Sequence, residues 1–74
     1  MLSYRIIISG DVQGVGFRGS AARIAGRLRL RGWAKNNADG SVEILIQGPK
    51  VMCDEFIDWC RVGPPGARVH ASDL

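Results

Sequence analysis

Apolar and polar residues alternate near the start of the chain. In the segment SYRIIIS, residues 3–9, Tyr4, Ile6 and Ile8 fall on one side of an extended backbone. Because successive side chains of a strand point to opposite faces, this spacing predicts a strand with one strongly buried face. Gly10 is expected to end it.

A second alternating pattern occurs in the middle of the chain. In the segment VEILIQG, residues 42–48, Val42, Ile44 and Ile46 alternate with mostly polar side chains, and GWAKN, residues 32–36, precedes it. The Asp-Gly pair at residues 39–40 lies between them and is typical of a tight hairpin turn. The pattern therefore predicts two strands joined as a β-hairpin.

Two other segments have apolar residues at the helical spacing i, i+3, i+4 and i+7. The first stripe is Ala21, Ile24, Ala25 and Leu28, and the second is Cys53, Phe56, Ile57 and Cys60. Pro49 suits the start of the second helix, and the GPPG segment at residues 63–66 suits its end. Two amphipathic helices are therefore predicted.

The C-terminal segment ARVHASDL, residues 67–74, is consistent with a last strand in which Val69 and Ala71 face inward. The predicted order is then strand, helix, strand, strand, helix, strand. Strands interleaved with two helices in this way indicate an α+β fold, with an open, largely antiparallel sheet and both helices on one face. We expect residues 1–74 to form a single domain.

Composition agrees with a small folded protein. Of the 74 residues, 46% are hydrophobic and 23% charged, which is typical of a folded globular protein and not of a disordered chain. The net charge of +3 favours anionic partners. No apolar run is long enough for a membrane-spanning helix, and the N-terminus does not resemble a signal peptide. We expect a cytoplasmic protein that does not bind membranes.

The cysteines and the histidine suggest no chemistry of their own. Cys53 and Cys60 lie on one face of the second predicted helix, about 10 Å apart along its axis. They are too far apart to form a disulfide, and the lone His70 does not complete a metal site. The prediction is two buried free thiols, with His70 structural or facing solvent.

The segment GDVQGVGFRGS, residues 10–20, connects the first strand to the first helix. Gly14 and Gly16 permit backbone angles that turn the N–H groups of residues 13–18 into one concavity, and Arg18 follows at the helix start. Such a loop is suited to bind an anion such as phosphate. Taken alone, the loop is also consistent with a tight turn beside a solvated arginine.

Two segments carry a resemblance to a known family. GDVQGVGFR resembles the signature loop of the acylphosphatase family, and GWAKNNADGSVEILIQG, residues 32–48, resembles its second signature segment in order and spacing. The resemblance implies a ferredoxin-like α/β sandwich that hydrolyses the anhydride bond between phosphate and a carboxyl or carbamoyl group. It also implies that no metal or organic cofactor is needed.

The resemblance also implies roles for single residues. Arg18 corresponds to the family's catalytic, phosphate-binding arginine, and Asn36 to the asparagine that positions the attacking water. The amides expected to form the phosphate cradle are those of Gln13, Gly14, Val15, Gly16 and Phe17. Asn37 is an alternative to Asn36, although its position favours a role in the turn. The water's proton is expected to go to a phosphate oxygen.

The chain departs from the family pattern at a few positions. Asp11 places a negative charge before the cradle, which would weaken anion binding if its side chain faced inward. Gly19 and Ser20 stand where bulkier residues are common, and a glycine there loosens the first helical turn. The strand pattern stops after the fourth strand, so the fold is expected to be truncated there, with an open sheet edge.

The expected ligands are a small acyl phosphate and inorganic phosphate, with no nucleic acid and no obligate protein partner. One alternative is a module acting with a partner, because the chain also resembles the N-terminal domain of hydrogenase maturation proteins that handle carbamoyl phosphate. Another is a non-catalytic anion- or RNA-binding domain. The aromatic residues argue against RNA stacking, since Phe56 belongs to a buried stripe and the second strand has no run of aromatics.

Overall fold

The computed structural model describes the backbone of residues 2–73 and the side chains of residues 2–69. Its elements are β1 (Leu2–Asp11), α1 (Phe17–Arg27), β2 (Arg31–Asn36), β3 (Val42–Gly48), α2 (Lys50–Val62) and β4 (Arg68–Asp73). The order of strands and helices predicted from the pattern is confirmed. α2 begins directly after Pro49, and Gly63 follows its last residue.

The four strands form one antiparallel sheet in the order β2-β3-β1-β4. The two central strands, β1 and β3, pair Ile6 with Ile44 and Tyr4 with Ile46. A bulge between Ser9 and Gly10 shifts the register of β1 against β4. This arrangement is the ferredoxin-like sandwich that the resemblance implied.

The core lies between one face of the sheet and the two helices. The sheet contributes Ile6, Ile8, Val42, Ile44 and Ile46, and α2 contributes Cys53, Phe56, Ile57 and Cys60. These are the residues that the alternating and helical patterns placed inward. Because β1 and β2 both run antiparallel to β3, the end of β1, which leads into α1, and the end of β2 lie at the same edge of the sheet.

The two cysteines are free thiols within this core. Burial raises the pKa of Cys53, and it raises the pKa of Cys60 to about 12. Both side chains are therefore uncharged near neutral pH and pack as small apolar groups. The prediction of buried free cysteines is confirmed.

β4 forms one edge of the sheet and pairs with β1. Val69 is half-buried and packs against the core, as predicted. The predictions for Ala71 and His70 concern side chains outside those that the structure describes. Within residues 2–73, no helix is long and apolar enough to cross a lipid bilayer.

The face of the sheet opposite the helices carries an ion-pair cluster around Glu43. The carboxylate of Glu43 is only 7% exposed and accepts a hydrogen bond from Arg5 Nε at 2.5 Å, with Lys35 Nζ at 3.9 Å on its other oxygen. The hydrogen bond from Arg5 lowers the pKa of Glu43 despite the opposing effect of burial. The cluster links β1, β2 and β3.

Candidate active site

The loop between β1 and α1 contains the two glycines on which the anion-site prediction rests. Gly14 has a φ of 78° and Gly16 a φ of 76°, a left-handed conformation that glycine adopts without strain. Gly16 is also the residue that caps α1, and no side chain hydrogen-bonds to the first turn there. The sequence needs glycine at both positions to fold the chain back into the helix.

The loop is held at each end by a buried side chain. Val12 is 1% exposed and Phe17 is 2% exposed, and the Phe17 ring packs against Trp59 of α2 with the ring centroids 5.3 Å apart. The loop is therefore fixed to the core on both sides. Between these two anchors, Gln13, Gly14 and Gly16 are exposed.

The backbone N–H groups of residues 13–18 donate no hydrogen bond to a protein acceptor within the described part of the chain. The start of a helix also leaves N–H groups unpaired and carries a partial positive charge. This group of donors can bind an oxyanion.

Arg18 lies in the first turn of α1, where a positive charge is unfavourable for the helix dipole. No acidic residue occupies that turn, and Arg18 forms no ion pair within residues 2–69. The side chain is exposed. An anion bound at this helix end would offset the unfavourable charge.

A depression of about 300 Å³ lies at this end of the molecule. Its lining consists of Val12, Gly14, Gly16, Phe17, Arg18, Gly19 and Asn36. The structure thus brings Arg18 and Asn36 together with three of the five predicted cradle residues. Gln13 and Val15 do not line it, since Val15 packs partly against the core and the Gln13 side chain turns to the hairpin.

The two neighbouring asparagines have different surroundings. Asn36 is exposed, ends β2 and has no side-chain hydrogen bond to any part of the chain that the structure describes. Asn37 donates from Nδ2 to Ser41 Oγ at 3.0 Å, and its N–H donates to the Ser41 carbonyl at 2.8 Å. Only Asn36 lines the depression.

The turn that follows is closed by Ser41, which is 4% exposed. Its hydroxyl donates to Asp39 Oδ1 at 2.6 Å, and its backbone N–H donates to the same oxygen at 2.9 Å. Both hydrogen bonds lower the pKa of Asp39, and the one from the Ser41 hydroxyl has the larger effect. The turn between β2 and β3 is therefore stabilised by hydrogen bonds among its own residues, and Asn36 directly precedes it.

The role of the Gln13 side chain was missed in the prediction from the sequence, because that prediction assigned a role only to the Gln13 backbone amide. Gln13 Nε2 donates to the carbonyl oxygens of Asn37 and Ser41 at 2.8 and 3.0 Å. Both acceptors are backbone groups more than 20 positions away, so no pattern of residue types indicates the contact. It joins the glycine loop to the hairpin.

The residues that depart from the family pattern lie at different distances from the depression. Asp11 is exposed at the end of β1, opposite Arg68 of β4, and does not line it. Gly19 does line it, whereas Ser20 does not. Asp11 therefore lies outside the depression that Arg18 and Asn36 line.

A second depression, of about 200 Å³, lies between α1 and the edge strand β2. Small and apolar residues line most of it, and Arg31 is the one charged residue there. Its lining contains no carboxylate, hydroxyl, thiol, imidazole or amide side chain.

The fold defines the chain as a ferredoxin-like α/β sandwich with a glycine loop at its first strand-helix junction. The sequence model of the family described as Acylphosphatase matches residues 4–74. The chain therefore belongs to the acylphosphatase family.

Individual relatives agree with this assignment. An acylphosphatase of Burkholderia vietnamiensis (strain G4 / LMG 22486) is 52% identical over 67 residues, which are 90% of this chain and 68% of the relative. The crystal structure of acylphosphatase from Bacillus subtilis superposes with a TM-score of 0.96 at 44% identity, covering 99% of this chain and 81% of that one. Part of HypF from T. kodakarensis matches with a TM-score of 0.83 at 40% identity, covering 99% of this chain but 10% of HypF.

Proposed function

We propose that this protein is an acylphosphatase, which hydrolyses small acyl phosphates to a carboxylate and inorganic phosphate by in-line attack of water. The observation that carries the proposal is the convergence of the glycine loop, Arg18 and Asn36 on one depression. Membership of the acylphosphatase family and the names of the relatives support the same activity.

The phosphoryl group is assigned to the loop and Arg18. The amides of residues 13–17 would donate to its oxygens, and the guanidinium of Arg18 can donate two parallel hydrogen bonds to an oxyanion. No carboxylate occurs between Val12 and Ala38, a segment with six basic residues, so its field attracts anions. Charge on the phosphoryl oxygens would then be stabilised as the bond to the leaving group breaks.

Asn36 is assigned the role of positioning the attacking water. A side-chain amide accepts from water through its oxygen and donates through its nitrogen, so one group can hold water against a bound phosphate. The carboxylate that leaves is a weak base and needs little protonation. The main tasks are thus to orient the water and hold the charge, and the water's proton passes to a phosphate oxygen.

The remaining assignments are proposals from the sequence. They are inorganic phosphate as the product ligand, no obligate protein partner and a cytoplasmic location. The match to part of HypF supports a second candidate, in which such a module acts with a partner on carbamoyl phosphate. Hydrolysis by the isolated chain would favour the first candidate.

The test is hydrolysis of benzoyl phosphate, followed by its loss of absorbance, with inorganic phosphate as a competitor. We expect turnover that phosphate inhibits competitively, and no turnover of p-nitrophenyl phosphate, whose ester has a poorer leaving group. Absence of benzoyl phosphate hydrolysis by the folded protein would refute the proposal. Binding of oligonucleotides that weakens with salt would then favour a nucleic-acid module.

A further inference from the structure

The side chain of Gln13 connects the glycine loop to the hairpin that ends at Asn36. We infer that Gln13 is a positioning residue, which sets the distance between the bound phosphate and the water held by Asn36. The inference rests on the proposed acylphosphatase activity. It assigns to the side chain a task separate from that of the Gln13 backbone amide.

The contact uses one nitrogen and two carbonyl groups. Gln13 Nε2 donates to Asn37 O at 2.8 Å and to Ser41 O at 3.0 Å. The same carbonyls close the turn, because Asn37 O accepts from Gly40 N at 3.2 Å and Ser41 O accepts from Asn37 N at 2.8 Å. Gln13 thus forms hydrogen bonds with both sides of the turn between β2 and β3.

This contact lies next to the residue assigned to water. Asn36 forms the last pair of the β2–β3 ladder, with Val42, and directly precedes Asn37. Its own side chain has no hydrogen bond that would orient it within residues 2–69. The position of Asn36 relative to the loop is therefore set by the strand pairing and by the bonds from Gln13.

The loop itself depends less on Gln13. Val12 and Phe17 bury its two ends, and Gly14 and Gly16 give it its shape. Loss of the Gln13 side chain should therefore leave phosphate binding nearly intact and disturb the placement of Asn36. This separation between binding and turnover distinguishes a positioning role from general support of the fold.

The test compares Gln13→Met with Gln47→Met. Both changes keep the side-chain length and remove the amide, and Gln47 is exposed on β3, away from the depression. With benzoyl phosphate, we expect Gln13→Met to lower kcat by roughly 10²-fold, the loss that a displacement of about 1 Å can cause. The inhibition constant of inorganic phosphate should stay close to that of the wild type, and Gln47→Met should alter neither value.

A double-mutant cycle tests whether the effect passes through Asn36. If Gln13 acts by positioning Asn36, Gln13→Met should cost far less in an Asn36→Ala background than in the wild type. Equal costs in the two backgrounds, or an unchanged kcat in Gln13→Met, would overturn the inference. An inactive wild type would instead refute the proposed function, so the two failures are distinguishable.

Gln13→Glu provides a second variant of the same shape, should Gln13→Met unfold. Its carboxylate would face two carbonyl oxygens, which favours the protonated form, and the protonated acid regains a donor. We expect its kcat relative to the wild type to rise as the pH is lowered from 7 towards 4. A ratio that does not depend on pH would contradict a role for the donor.

Discussion

Arg18 and Asn36 line the same depression, although they belong to different elements of the fold. Arg18 lies in the first turn of α1, and Asn36 is the last residue of β2. The β1–α1 loop and the β2–β3 hairpin lie at the same edge of the sheet because β1 and β2 both run antiparallel to β3. A basic residue and an amide residue are therefore brought to one depression.

The two asparagines provide a matched pair of variants. Asn36→Ala should lower kcat for benzoyl phosphate by roughly 10²-fold, since the water loses its orienting group, and should leave the free energy of unfolding unchanged. Asn37→Ala should retain activity but lower the free energy of unfolding by about 1 to 3 kcal/mol, because the buried Ser41 hydroxyl loses a donor. Kinetics and urea unfolding of both variants check this. The reverse pattern would assign the water to Asn37.

The cluster around Glu43 makes a prediction about acid stability. Because the Arg5 hydrogen bond lowers the pKa of Glu43 in the folded state, its stabilising effect is present above the unfolded pKa, near 4.5. That effect is lost as the pH falls further. Glu43→Gln should therefore be less stable than the wild type at pH 7, and the difference should narrow below about pH 4.5.

The measurement is the free energy of unfolding in urea between pH 7 and pH 3. Glu55→Gln is the control, because Glu55 is exposed on α2 and forms no ion pair in the part of the chain that is described. It should follow the wild-type curve. A constant difference between Glu43→Gln and the wild type across this range would contradict the account.

Gly32 and Gly26 differ in the space available for a side chain. A Cβ at Gly32 would lie 1.7 Å from the carbonyl oxygen of Leu45, and its φ of 154° is rare for other residues. Gly26, in α1, has nothing within 4 Å of such an atom. Gly32→Ala should thus destabilise the protein by more than about 3 kcal/mol, whereas Gly26→Ala should stabilise it by about 0.5 to 1 kcal/mol.

Thermal and urea unfolding of the two variants check this prediction. Similar stabilities for Gly32→Ala and the wild type would mean that β2 can move away from β3 at little cost. In that case the position of Asn36, at the end of β2, would be less firmly set than the structure indicates.

The sequence predicted most of the fold because its signals are local. The inward residues of β1 and β3 follow a strict alternation, and the stripe of α2 follows the helical repeat. The Asp39-Gly40 pair occupies the turn, and Asp39 also accepts the two hydrogen bonds from Ser41. The order of strands in the sheet needed the structure, because pairing between distant segments has no local pattern.

The candidate site was predicted in part. Gly14, Gly16 and Arg18 are noticeable in the sequence because a glycine loop before a helix is a known way to bind phosphate. The sequence could not show that Gln13 reaches the hairpin, since its acceptors are backbone carbonyls that every residue has. The catalytic and binding roles of these residues stay predictions.

The most direct test of the central claim is kcat/KM for benzoyl phosphate in Arg18→Ala and Arg23→Ala. Both arginines are exposed on α1, and neither forms an ion pair within the described side chains, so the variants differ mainly in their distance from the depression. The account predicts a loss of about 10³ to 10⁵ for Arg18→Ala, with Arg23→Ala close to the wild type. A folded Arg18→Ala protein that hydrolyses benzoyl phosphate as well as Arg23→Ala would contradict it.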